Sequence, residues 1–302
     1  GGTNRYETSY GVQLKIDIEN PTLVELRDIR LKAMHAEMIK DPKVKLQLAS
    51  SYAGIANYWK FFDGETKQLI KHKVIEQKQK DEAAFEKWAQ GNKDYDNLFA
   101  DIKKTYDQWR PYAKSRVYLT EGIMGSPLVS FAASLNSLKT AMANKPDDVK
   151  KITGVLEKNY QKFIKNENVA SDRNILSAIL KEFYDEVDPT QRPGAFYDQL
   201  ASKYGPLTAP ETYLKYSNDV FAGTMLLDST KFNAFLQNPD TLALKKDPAV
   251  STALAFLDNY NSTVNKHFAD FNAQNFALNR KYQKGILQKM KGKTFYPDAN
   301  FT

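Results

Sequence analysis

The chain has 302 residues, of which 42% are hydrophobic and 26% are charged, a balance that is ordinary for a globular protein and excludes a wholly disordered one. Cysteine is absent, which excludes a disulfide scaffold, a thiol nucleophile and every cysteine-ligated metal site. The net charge of +7 is mild for this length, so we interpret it as a solubility property and expect no nucleic-acid partner.

The first predicted elements are an extended entry and two helices. Residues 1–16 show no helical period, and we predict an extended conformation for them. Asn20 and Asp41 are each followed by a proline, and a capping side chain before a first-turn proline predicts a helix start at both places. The second helix is expected to end at Gly64.

The middle of the chain continues the helical pattern with interruptions. A third helix is predicted over 66–90. A fourth begins near Tyr95 and meets Pro111, which we expect to bend or break it. Gly122 and Pro127 bracket a segment rich in helix breakers, where we expect a kink or a short loop.

The second half of the chain contains further helices around one loop-rich zone. Helices are predicted over 146–165 and, with Asp172 as the cap, over 173–186. Residues 187–210 are rich in proline and glycine, and we interpret them as a long connection within one helical domain. The longest pattern runs over 247–289. Three shorter helices are predicted over 195–203, 210–221 and 230–236.

Together these patterns predict an all-α fold, an elongated bundle of long amphipathic helices. No alternating run of strand length and no hairpin turn between apolar runs occurs. No apolar run approaches the roughly 18 residues that a membrane span needs, so we expect no membrane span. Residues 294–302 are expected to be extended, and the whole chain, 1–302, is predicted to be a single helical domain.

Local sequence patterns identify no catalytic residue and no metal site. His35, His72 and His267 are far apart, and none lies in a ligand pattern, so we expect no metal. Neither of the phosphate-binding glycine motifs, G-x-x-x-x-G-K-S/T and G-x-G-x-x-G, occurs in the sequence, and no cofactor is expected. Ser126 precedes a proline outside any nucleophile elbow, and local patterns assemble no catalytic triad.

Two clusters of acidic residues and one cluster of basic residues are interpreted as solvent-exposed surface. Glu182, Asp185 and Glu186 share one predicted helix, and Asp147 with Asp148 lies at a helix start, where acidic side chains favour the helix dipole. Basic side chains favour the dipole at a C-terminal end in the same way. The basic residues of the last predicted helix and the tail are interpreted in this way. They are Arg280, Lys281, Lys284, Lys289, Lys291 and Lys293.

One segment of the second predicted helix is harder to explain by packing alone. Small residues there accompany large aromatic ones, and Gly54 lowers helix propensity by about 1 kcal/mol relative to alanine. A small-residue surface lets another molecule approach, and the Asn57 amide can both donate and accept hydrogen bonds. Asn57 is therefore a candidate binding residue, with a buried, satisfied asparagine and a tight helix crossing as the alternatives.

Three motifs in order along the chain are similar to those of a bacterial peptidase family. They are residues 2–6 (GTNRY), 53–60 (AGIANYWK) and 295–300 (FYPDAN). On these motifs the chain resembles the serine dipeptidyl-peptidases seven and eleven, which are chymotrypsin-like double β-barrels with a large inserted helical domain. The resemblance runs from end to end of the chain.

The resemblance implies that this chain is the helical cap domain of a bacterial serine dipeptidyl-peptidase that is periplasmic, cell-surface or secreted. The family's catalytic His, Asp and Ser lie on either side of the helical insert, so no catalytic residue is expected within 1–302. The chain alone is then expected to hydrolyse nothing. Residues 1–16 and 294–302 are the implied connections to the β-barrel, and we expect them to lie side by side.

One site residue carries over from the family. An asparagine of the matching motif helps hold the free amino group of the substrate, and its counterpart here is Asn57. The implied partners are peptides with a free N-terminus and the β-barrel of the same polypeptide, with a homodimer of the parent protein left open. The alternative is a non-enzymatic helical scaffold or binding protein, with separated termini and no polar residue at a concave surface.

Overall fold

The computed structural model describes residues 7–292, and every regular element in this range is helical, with no β-strand among the described residues. The all-α fold predicted from the sequence is confirmed. The predicted extended tail, 294–302, and residues 1–6 lie outside the described residues. None of the helices in this range is apolar over a length that would cross a membrane.

The described range contains α-helices of 6 to 30 residues. In chain order they are α1 (Ser9–Leu14), α2 (Asn20–Met38), α3 (Pro42–Lys71), α4 (Val74–Ala89), α5 (Leu98–Val117), α6 (Pro127–Ser134), α7 (Asn136–Asn144), α8 (Val149–Asn166), α9 (Val169–Glu186), α10 (Gly194–Tyr204), α11 (Pro210–Gly223), α12 (Ser229–Gln237), α13 (Thr241–Lys246), α14 (Pro248–Thr263) and α15 (Asn265–Lys289).

The chain is helical from Ser9, which corrects the extended conformation predicted over 1–16 for residues 9–16. The Thr8 hydroxyl caps α1 by accepting from the Gly11 N–H at 3.4 Å. A π-helical turn over Lys15–Glu19 then joins α1 to α2. The wider turn suits Pro21, because a proline ring clashes with the carbonyl four residues earlier in a regular α-helix.

Several helix ends differ from those predicted. α3 continues past Gly64, and the break comes at Lys73, whose φ of 50° is left-handed. Pro111 lies inside α5. The pattern predicted as one helix over 247–289 is divided at Val264 into α14 and α15. Packing in the folded chain therefore outweighs the local helix propensity at these positions.

The predicted interruption between Gly122 and Pro127 is confirmed. A π-helical turn over Tyr118–Gly122 and a 3₁₀ turn over Ile123–Gly125 separate α5 from α6. Ser126 then caps α6, because its hydroxyl accepts from the Val129 N–H at 3.3 Å.

The contacts divide the chain into two compact units, where the sequence predicts a single domain. The first unit consists of the described parts of Gly1–Pro21, Phe61–Lys114 and Asn265–Thr302. The second consists of Thr22–Lys60 and Ser115–Val264. The loop-rich zone, 187–210, lies inside the second unit. It is not one long connection, because it contains α10 (Gly194–Tyr204).

An aromatic cluster forms the core of the first unit. Phe85 of α4 meets the rings of Tyr95, Phe99 and Tyr282 edge-on, with centroids 5.1–5.8 Å apart. Gly285 of α15 lies so close to Phe85 that an added β-carbon would come within 2.3 Å of the ring. α15 therefore packs against α4 in this way only because residue 285 has no side chain.

The second unit has a larger apolar core, in which α9 packs against α11 and α6 packs against α14. Its most completely buried large side chains come from several helices and from the turn before α6. They are Tyr118, Ile123, Leu128, Leu135, Leu138, Tyr160, Tyr213, Phe232 and Phe256. α2 and α3 add Leu26 and Leu48 to the same core.

Replacing Gly285 by alanine is expected to destabilise the first unit by about 1–3 kcal/mol, the usual cost of overpacking a core. Gly64→Ala in α3 is the matched control, because a β-carbon there meets nothing within 4 Å and alanine favours the helix by about 1 kcal/mol. Urea unfolding measures both variants. Equal stabilities would contradict the close approach of Gly285 to Phe85.

Candidate functional site

Asn57 lies on α3, whose start is fixed by local chemistry. The Asp41 carboxylate accepts from the Lys43 N–H at 2.8 Å. Pro42 occupies the first turn, where its missing N–H costs no hydrogen bond. The helix start predicted at Asp41 is therefore confirmed.

One face of α3 packs on the core of the second unit. Leu48 is buried, and Val44, Tyr52 and Ile55 are partly buried against the same core at helical spacing. Asn57 lies off this stripe and is exposed. The alternative that Asn57 is a buried, satisfied core asparagine is therefore wrong.

The surface next to Asn57 is open within the described chain. Gly54, about one helical turn earlier, is exposed, and an added β-carbon there would meet nothing within 4 Å. The small residue is thus not required by a helix crossing among the described residues. No hydrogen bond to another described residue occupies the Asn57 side chain, so its amide is available to a ligand.

Tyr58, beside Asn57, is contacted by a buried arginine of the second unit. The Arg27 guanidinium of α2 lies 5.7 Å from the centroid of the Tyr58 ring. Nη2 of Arg27 lies 2.8 Å from Oε2 of Glu121. Arg27 is 8% exposed, and a cation so deeply buried requires a counter-charge. α2 thereby links α3 to the turn before α6.

The glycines of that turn allow α2 to approach it. A β-carbon on Gly122 would lie 3.3 Å from the Leu26 side chain, and one on Gly125 would lie 3.1 Å from Cδ of Arg30. The Arg30 guanidinium lies 4.0 Å from Glu121. Burial lowers the pKa of Arg30, and Glu121 opposes that shift. Small residues therefore bring two arginines of α2 to one carboxylate.

The three histidines lie in separate environments. His35 lies against Tyr52 with ring centroids 6.5 Å apart. His267 stacks on Tyr112 at 3.8 Å. His72 is exposed in the turn between α3 and α4. Within residues 7–292, no three His, Asp or Glu side chains are grouped so that they could hold a metal ion.

Ser126, the serine considered as a nucleophile, has a structural role. It is 1% exposed, and its hydroxyl caps α6. A buried hydroxyl that is engaged by a helix start is not presented to a substrate.

Asp172 does not cap the helix predicted over 173–186. Asn168 caps α9 instead, accepting from the Ser171 N–H at 3.0 Å. Asp172 lies in the first turn of α9, and its Oδ2 accepts from the Leu128 N–H at 2.7 Å. The carboxylate therefore serves the start of a neighbouring helix, which sequence spacing cannot show.

Two pairs of carboxyl groups lie together although the sequence does not predict it. Glu182, interpreted as solvated, is half-buried beside Glu25 of α2, and burial with this neighbour raises the pKa of Glu182 to about 7. Glu167 and Asp172 face each other at the junction of α8 and α9, and burial raises the pKa of both. Tertiary packing rather than helical spacing forms these pairs.

The full length of the chain matches one protein family. The family model described as Peptidase S46 matches residues 1–302. The chain belongs to the peptidase S46 family. It is 29% identical over 311 residues to an Asp/Glu-specific dipeptidyl-peptidase of Flavobacterium psychrophilum and to dipeptidyl-peptidase 7 of Phocaeicola vulgatus. All of this chain is covered, but it spans only 42% of each relative.

The fold is similar to that of Porphyromonas endodontalis DPP11. The crystal structure of that protein in complex with the dipeptide Arg-Glu matches with a TM-score of 0.79 and 23% identity, over 100% of this chain and 43% of the other. The structure in an alternate conformation matches with a TM-score of 0.61. The resemblance to this peptidase family is thus confirmed for both sequence and fold.

Arg27→Met is expected to destabilise the second unit by about 1.5–3 kcal/mol, the typical contribution of a hydrogen bond between charged groups. The variant removes the nearer of the two arginines that face Glu121, and with it the cation beside Tyr58. Lys32→Met, also on α2, is the control, because its pair with Asp28 is exposed to solvent and exposed ion pairs contribute little to stability. Chemical unfolding that shows the same loss for both variants would contradict the role assigned to Arg27.

Proposed function

We propose that this chain is the helical cap domain of a serine dipeptidyl-peptidase and that Asn57 helps hold the amino terminus of the peptide substrate. The observation that carries the proposal is the exposed Asn57 amide, which no other described residue engages, on a chain of the peptidase S46 family. Relatives named as dipeptidyl-peptidases support the activity of the parent protein.

The chemistry of substrate recognition requires a group of this kind. A dipeptidyl-peptidase counts two residues from the amino terminus, so it needs a fixed acceptor for an ammonium group. An amide oxygen accepts a hydrogen bond from the ammonium group and carries no charge of its own. A hydrogen bond to a charged group contributes about 1.5–3 kcal/mol.

Gly54 supports the same role for this face of α3. Glycine in an exposed helix interior costs about 1 kcal/mol relative to alanine, and no contact within the described chain requires it. The absence of a side chain leaves space next to the Asn57 amide. We assign that space to the backbone of the incoming peptide.

The groups that break the peptide bond are proposed to lie outside this chain. Ser126 is buried in a helix cap, and the histidines are engaged with aromatic rings or lie in an exposed turn. The relatives are more than twice as long as this chain. The proposed partner is therefore a catalytic β-barrel of the same polypeptide, with a homodimer left open, and the proposed location is periplasmic, cell-surface or secreted.

Asn57→Ala in the full-length protein is expected to lower kcat/KM for peptides with a free amino terminus by about 10- to 150-fold, the loss of one hydrogen bond to a charged group. Asn233→Ala on α12, another exposed helical asparagine, is the control and should leave kcat/KM unchanged. Steady-state kinetics with a dipeptidyl substrate measures both. Wild-type kinetics for Asn57→Ala would remove this residue from the binding site.

Gly54→Ala is expected to change stability and activity in opposite directions. The added methyl group should stabilise α3 by about 0.5–1 kcal/mol and lower kcat/KM several-fold by occupying the space beside Asn57. Thermal unfolding and peptidase kinetics of the same preparation provide the two readouts. A variant that is more stable and fully active would show that no substrate atom approaches Gly54.

A further inference from the structure

Three buried carboxyl oxygens of the second unit lack a hydrogen-bond donor. They are Oδ1 of Asp172 and both oxygens of Glu167, and no N–H, serine hydroxyl or other donor group of the described residues reaches them. Asp172 is only 2% exposed. The two carboxyl groups are neighbours, and the charge of Asp172 acts on Glu167. Two ionised carboxylates in this arrangement would repel each other, and of their four oxygens only Oδ2 of Asp172 receives a hydrogen bond.

The two carboxyl groups are not equivalent. Oδ2 of Asp172 accepts from the Leu128 N–H at 2.7 Å, and the neighbouring Ser126 hydroxyl also favours the ionised form of this carboxylate. Arg30 of α2 also attracts the charge of Asp172. These contacts favour the ionised form of Asp172, whereas Glu167 has none of them. A single proton therefore belongs on Glu167.

A proton satisfies the pair better than a metal ion does. Calcium and magnesium take about six or more oxygen ligands, and no third His, Asp or Glu joins the two carboxyl groups within the described residues. A proton on Glu167 needs only one acceptor, and Oδ1 of Asp172 is that acceptor. Binding of one proton to Glu167 therefore removes one buried negative charge and joins the two carboxyl groups by a hydrogen bond.

We propose that Glu167 and Asp172 form a proton-binding site, in which Glu167 stays protonated at neutral pH and donates a hydrogen bond to Oδ1 of the ionised Asp172. Release of this proton leaves two facing anions and loosens the junction of α8 and α9. Burial, followed by the charge of Asp172, raises the pKa of Glu167 and supports this assignment.

The charged groups around the pair do not supply an alternative counter-charge for Glu167. Arg30 faces Asp172 from α2, and it also lies 4.0 Å from Glu121. α6 contributes a backbone N–H and the capping hydroxyl, which are both uncharged. On the α3 side, Gln47 donates to the backbone carbonyl of Glu167 at 2.9 Å.

The site connects three helices of the second unit. Asp172 holds the first turn of α6 through Leu128, and Gln47 of α3 contacts the carbonyl of Glu167 and the side chain of Asn168 at 3.0 Å. α3 is also the helix that carries Asn57. Loss of the proton is therefore expected to weaken the attachment of α6 and α3 to the junction of α8 and α9.

The sign of the pH dependence follows from the raised pKa of Glu167. Its contribution to stability is fully present below the ordinary pKa of glutamate and is lost as pH rises toward the raised value. In the pH range where the closed junction of α8 and α9 keeps the proton and the locally opened junction releases it, the equilibrium constant for opening rises about ten-fold for each pH unit.

Hydrogen exchange at the Leu128 N–H, measured on the full-length protein between about pH 6 and pH 8 and corrected for intrinsic rates, tests the proposal. The wild type should show up to about a ten-fold rise in opening per pH unit. Glu167→Gln keeps a donor to Asp172 but cannot ionise, so its opening should not change with pH. Glu157→Gln, an exposed residue of α8, should retain the wild-type slope. Equal slopes for the wild type and Glu167→Gln would overturn the proposal.

Infrared spectroscopy provides a second test that does not depend on local opening. At neutral pH the wild type should show the C=O stretch of a buried protonated carboxyl group that is missing from Glu167→Gln. Asp172→Asn should also lose it, because its amide can donate to an ionised Glu167. If Glu167→Gln does not fold, Asp172→Asn still decides the result. An unchanged band in a folded variant would show that the pair holds no proton.

Discussion

The close contact between α2 and the interrupted helix at Gly122–Gly125 is the constraint on which the second unit depends. A β-carbon on Gly122 would lie only 3.3 Å from the Leu26 side chain, and the same close approach brings Arg27 to Glu121. A buried guanidinium is stable only with such a counter-charge. Because Arg27 also contacts the Tyr58 ring, the glycines of one turn influence the position of the helix face that carries the candidate binding residue.

Buried charge in this unit is compensated in two ways. Glu121 neutralises the arginines of α2 with an ion pair, whereas Glu167 beside Asp172 has no cation of its own and is assigned a proton. Both arrangements connect helices that are distant in sequence. They hold α2, α3 and α6 around the junction of α8 and α9, while the outer face of α3 remains open. The proposed recognition of a peptide terminus needs such a supported helix with an exposed amide.

The sequence was sufficient to predict the all-α fold, the interruption before α6 and the peptidase family, because helical periodicity, helix breakers and short motifs are local signals. It did not predict α1 (Ser9–Leu14) or the continuation of α5 through Pro111, because tertiary packing decides whether these segments are helical. The role of Asp172 was missed because its partner, Leu128, lies on another helix. Asn57 could be identified from a motif, but its exposure follows only from the direction in which α3 packs.

A crystal structure of the full-length protein with a bound dipeptide tests the central claim most directly. The account predicts that the amino nitrogen of the dipeptide lies within hydrogen-bonding distance of Oδ1 of Asn57 and that the peptide backbone passes over Gly54. It also predicts that the attacking hydroxyl belongs to a residue outside this chain. A dipeptide whose amino group is held entirely by other residues, with Asn57 facing solvent, would contradict the account.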